Sequence, residues 1–117
     1  VKGTPFHSDH AFFGDVYDTV ADDFDSLAER IVGLYGEEPL ALQPMMAAVV
    51  AKLGDAPSVG AEDNKVFYAH QLKMEESLCK LVEKIIAAGV YPGTEQLIGE
   101  IANKAEMRKY KIKQRMK

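Results

Sequence analysis

A length of 117 residues allows one domain with a small core. The hydrophobic fraction of 47% is ordinary for a globular chain, and the single cysteine, Cys79, excludes an intrachain disulfide and suits a reducing interior. Formal net charge is −4, no apolar run approaches the length of a membrane span, and no membrane partner is expected. The charge is unevenly placed. Residues 1–38 hold nine of the eighteen acids, while residues 104–117 hold seven of the fourteen Lys plus Arg.

Residues 1–7, VKGTPFH, read as an entry loop with Gly3 and Pro5 as breakers. Ser8 is then the expected N-cap of a long helix, with Gly36 as its C′ residue and Pro39 following. Phe12, Phe13, Val16, Val20, Phe24, Leu27, Ile31 and Leu34 share one broad apolar face of that helix. Pro44 opens a short, nearly all-apolar helix that ends at Gly54, and such a helix should be wedged between larger elements or against another subunit. Residues 55–60 read as a loop. A second long helix is expected from Ala61 to Ala88. Phe67, Met74, Leu78, Leu81 and Ile85 form one of its stripes, and Tyr68, Leu72, Cys79 and Ile86 form another. Cys79 and His70 read as core or interface residues. After the breaker GVYPG, residues 89–93, a third long helix starts near Thr94, with Leu97, Ile98, Ile101, Ala105 and Ile112 on its apolar side. No segment carries strand alternation, so the expected class is all-α. Broad apolar faces on three long helices call for a fourth.

The face of the first helix opposite its apolar stripe carries Asp15, Asp18, Asp22, Asp25 and Glu29, with His10 near the edge. Carboxylates three and four apart repel one another, and no Lys or Arg falls between Lys2 and Arg30 to compensate. Two readings follow: a solvated face, or a face that takes cations or a basic partner. Imidazole with carboxylates is a ligand set that suits iron, manganese or zinc. The other end of the chain is basic. Lys109, Lys111, Lys113, Arg115 and Lys117 complement a helix C-terminus. Repeated on an oligomer, they would also bind nucleic-acid phosphates multivalently.

VKG at 1–3, Phe6, His10, Tyr17 and DSLAER at 25–30 together resemble the Dps family, the miniature ferritins described as DNA-binding proteins from starved cells. The resemblance is specific over residues 1–36, and GTEQLIGEI at 93–101 is similar to the start of that family's last helix. It implies a single ferritin-like four-helix bundle over residues 1–117, with a short helix in the middle connection and the family's first helix lying before Val1. It also implies a cytoplasmic homo-oligomer, a dimer building block assembled into a hollow dodecamer. Such a shell oxidises Fe(II) at a site shared by two subunits, stores the product and protects DNA from oxidative damage. By that resemblance His10 is the nitrogen ligand and Asp25 and Glu29 are the carboxylate ligands, with Asp15, Asp18 and Asp22 as lesser candidates and zinc as a surrogate ion. Gly14 stands where the family has an aspartate, and Tyr91 where it commonly has an acid. The alternative is a helical structural or DNA-binding oligomer with a degenerate metal site, in which ferroxidase activity is lost.

Overall fold

The computed structural model describes the backbone of residues 4–53 and 64–117, with side chains from Ser8 onward except those of Leu40, Leu42, Gln43, Lys52, Leu53 and Asn64. Residues 1–3, the loop expected at 55–60, the stop at Gly54 and the start at Ala61 lie outside the described residues. Among those described, the chain is all-α: four α-helices and one short 3₁₀ turn, without a strand. Two compact units divide it, Val1–Ala56 and Pro57–Lys117.

The first unit is dominated by α1, Thr4–Tyr35. It begins four residues before Ser8, so Ser8 is not its N-cap. Pro5 explains the difference: its fixed φ and missing N–H suit the first helical turn, so it starts the helix where a breaker was expected. At 1.5 Å per residue the helix is about 48 Å long and passes uninterrupted through Gly14 and Gly33. It stops at Gly36, whose φ of 82° lies in the left-handed region that favours glycine, and whose N–H donates to the Val32 carbonyl at 3.0 Å.

Phe12 and Val16 are buried, and Phe12 meets Phe13 edge to face at 5.5 Å. The rest of the expected apolar face is less covered. Leu27 and Ile31 are half-buried, whereas Val20, Phe24 and Leu34 are exposed, Phe24 to 51%. A 3₁₀ turn over Glu38–Leu40 leads to α2, Leu42–Leu53, with Pro44 inside its first turn as expected. Met46, Val49 and Val50 of α2 are exposed, so its apolar side chains are not enclosed by the other described elements of the first unit.

The second unit is a helical hairpin of α3, Asn64–Ala88, packed on α4, Pro92–Arg115. The reversal uses Gly89, with φ 92° and its N–H on the Ile86 carbonyl at 3.1 Å. Tyr91 is the N-cap and Pro92 occupies the first turn, which moves the start of α4 two residues ahead of Thr94. Its buried positions are Ile98, Ile101, Ala105, Arg108 and Ile112, alternating by three and four as in a heptad seam. The buried line on α3 is Tyr68, Glu75 and Val82, seven apart. It shares Tyr68 with the second expected stripe, and Glu75 and Val82 carry it into the gap between the two. Leu81, placed in the first of them, is exposed.

Candidate functional site

Three groups of chemically active side chains come out of this architecture. The first is the acidic face of α1. Asp15, Asp18, Asp22, Asp25, Glu29 and His10 are all exposed. The helix is continuous from His10 to Glu29, so its geometry alone fixes their spacing. His10 and Asp25 are fifteen residues apart, roughly 22 Å along the axis. Asp25 and Glu29, four apart, are neighbours on one face. Among the described residues, no three His, Cys, Asp or Glu side chains of one chain come together as a metal cluster. Two carboxylates one turn apart leave coordination positions that a further donor must fill, and the donors suit a divalent iron or zinc ion. Gly14 lies on this same face. It is exposed, and a Cβ added there would meet nothing within 4 Å.

The second group was not legible as a site. Asp23 is 7% exposed and in register with Phe12 and Val16, eleven and seven residues earlier, so α1 carries a buried acid on its apolar side as well as exposed acids on the other. In the hairpin, Glu75 and Arg108 form a buried ion pair. Arg108 Nε donates to Glu75 Oε2, Nη2 donates to Oε1 at 3.0 Å, and Gln71 Nε2 donates to Oε2 at 3.2 Å. Arg108 Nη1 is buried with no hydrogen-bond partner among the described residues. The available signal was register. Glu75 is seven from Tyr68 and seven from Val82, and Arg108 falls between Ile101 and Ile112 at heptad spacing. Charges of opposite sign at core positions of adjacent helices indicate a pair.

The third group is the basic end. It is not a separate tail: α4 runs through Arg115, with Lys113 and Arg115 in its last turn, where cations complement the helix dipole. Lys111, Lys113 and Lys117 are exposed, while Lys109 and Arg115 are half-buried on the flanks of the seam. Ile112, amid these cations, is fully buried. Cys79 is half-buried, and burial pushes its thiol up, with Lys109 pulling the other way and Glu106, Glu75 and Glu83 adding to the rise. It is therefore held as the thiol at neutral pH and is not an activated nucleophile. His70 is half-buried on α3, in keeping with a core or interface residue. No described helix is long and apolar enough to cross a membrane.

Comparison with known proteins adds one finding to this geometry. The chain is 32% identical over 120 residues to a Synechococcus nutrient stress-induced DNA-binding protein. The similarity takes in 96% of this chain, which spans 64% of that relative's length. No family model matches the chain, and no solved structure matches it.

Proposed function

We propose that this chain is a member of the Dps family that binds and oxidises Fe(II) between subunits and associates with DNA. The observation that carries the reading is the acidic face of α1: five exposed carboxylates of one sign with His10 beside them and no basic residue interspersed. Such a face is costly alone and favourable around a bound cation. The relative's name describes a DNA-binding protein induced by nutrient stress, and we carry DNA binding to this chain. The exposed apolar side chains of α1 and α2 support assembly, first as an isologous dimer and then as a dodecameric shell. A cytoplasmic location goes with DNA as the partner.

Iron is the substrate. His10 of one protomer and Asp25 with Glu29 of its partner hold it, because an antiparallel α1 from a second copy removes the axial separation within one chain. Oxygen and imidazole donors accept Fe(II) and favour Fe(III) after an external oxidant takes the electron. Gly14 favours the alternative of a degenerate site. The two readings separate on one substitution. Gly14→Asp places a carboxylate one turn after His10 with open space around it, and it should raise Fe(II) affinity about tenfold or more. Unchanged affinity in an anaerobic titration would favour the degenerate site.

DNA binding is tested by salt. Deleting residues 109–117 would also remove Ile112 from the core, so charge neutralisation is the better probe. Lys111→Gln with Lys113→Gln should weaken binding to a duplex and lower the slope of log K against log salt by about 2, one per lost phosphate contact. The slope is read by fluorescence anisotropy. An equal slope in the two proteins would remove this end of α4 from the interface.

A further inference from the structure

We propose that the last two turns of α4 form a stacking face for single-stranded nucleic acid, with Tyr110 as the side chain that engages a base. The inference rests on the DNA-binding reading above and adds to it a residue and a preference for unpaired strands. Tyr110 is 61% exposed, and Met107, one turn earlier, is exposed beside it. Both lie on the solvent side of α4. Tyr110 is two residues from Arg108 and two from Ile112, and two helical positions are about 200° apart, so it faces away from the buried seam those residues form. It therefore has no part in packing the hairpin.

Its surroundings identify the partner. From Met107 to Lys117 the chain has six Lys plus Arg and no acid, and one exposed acid, Glu106, lies a turn before Tyr110 on the same side. Arg108 is committed to Glu75 inside the core. Lys111 and Lys113 are exposed on either side of Tyr110, and Lys117 lies beyond them. An aromatic ring bracketed by exposed ammonium groups matches a flexible phosphodiester strand: the cations follow the backbone while the ring covers a base. Duplex bases are already stacked on one another and offer Tyr110 no face, so phosphate contacts alone act there. An exposed tyrosine on its own needs no explanation. Placed among exposed lysines that outnumber the single neighbouring acid, Glu106, and beside the exposed Met107, it fits single strands.

The experiment uses the full chain, with fluorescein-labelled oligothymidine and a mixed-sequence duplex of equal length as probes in anisotropy titrations. Tyr110→Ala should weaken oligothymidine binding about tenfold, within the range found when one base–aromatic stack is removed. It should leave duplex affinity and the salt slopes unchanged, since no charge is lost. Tyr110→Phe should bind both probes as the wild type does. Circular dichroism and gel filtration accompany each protein. Unchanged oligothymidine affinity in Tyr110→Ala overturns the stacking role and leaves the DNA reading standing. An equal loss on both probes overturns it as well, since stacking cannot act on the duplex. A changed elution volume overturns it by assigning this face to contacts between copies. A wild type that binds neither probe defeats the DNA-binding reading itself, and the inference with it.

Discussion

Glu75→Ala should cost about 3–5 kcal/mol of stability, a very large effect for one side chain. The substitution does more than delete an ion pair. It leaves the Arg108 guanidinium buried among Ile101, Ala105 and Ile112 without its counter-charge, and it takes from Gln71 its acceptor. Arg108 already holds one buried nitrogen, Nη1, without a hydrogen-bond partner among the described residues, so the site has no spare acceptor to recruit. The double substitution Glu75→Met with Arg108→Leu should recover most of the loss, because an apolar pair of similar volume avoids desolvating both charges. Urea denaturation of the three proteins checks this through the midpoint at constant m. A Glu75→Ala midpoint equal to wild type would mean that the pair is solvated and does not hold the hairpin. A poor double mutant beside a poor single mutant would mean that the pair fixes helix register as well as charge balance.

The second large effect is expected on metal binding. Glu29→Ala should lower Fe(II) affinity more than about a hundredfold, since loss of even an outer partner typically costs ten- to a hundredfold. The fold should survive. Glu29 is exposed, and its loss relieves repulsion with Asp25 by a few tenths of a kcal/mol. Asp18→Ala, on the same face but outside the proposed ligand set, should relieve repulsion without loss of tight binding. An equal loss in both variants would make the stripe a diffuse counter-ion surface with no defined site.

Much of the fold was legible because periodicity and punctuation agree over long segments. The three-and-four spacing from Phe12 to Leu34, the stop at Gly36 and the apolar side from Ile98 to Ile112 each have one strong interpretation, and the helices follow them. What escaped has local causes. Pro5 reads equally as a breaker or a first-turn residue, and only the surrounding chain decides. Glu75 and Arg108 are not legible as a pair, because a charge at a core position looks like a gap in a stripe until the partner helix supplies the opposite charge. Asp23 was hidden by its acidic neighbours: Asp22 and Asp25 face solvent while Asp23, one position around the helix, is buried. The candidate metal face was legible as a face, since one helix sets it. Its completion was not, because among the described residues of one chain no third donor joins Asp25 and Glu29.

The shared site can be tested by complementation. His10→Ala and Glu29→Ala chains should each bind Fe(II) weakly as pure proteins, because each lacks one half of every site. Mixed in equal amounts, unfolded and refolded together, they should form mixed dimers in which one of the two sites combines both lost halves and the other combines both intact ones. Random pairing makes about half of the dimers mixed, each with one working site of two. Tight binding should therefore return to about one quarter of the wild-type stoichiometry in an anaerobic Fe(II) titration. A mixture that binds no more tightly than either pure variant would show that His10 and Glu29 do not meet across a subunit boundary, and would contradict the account.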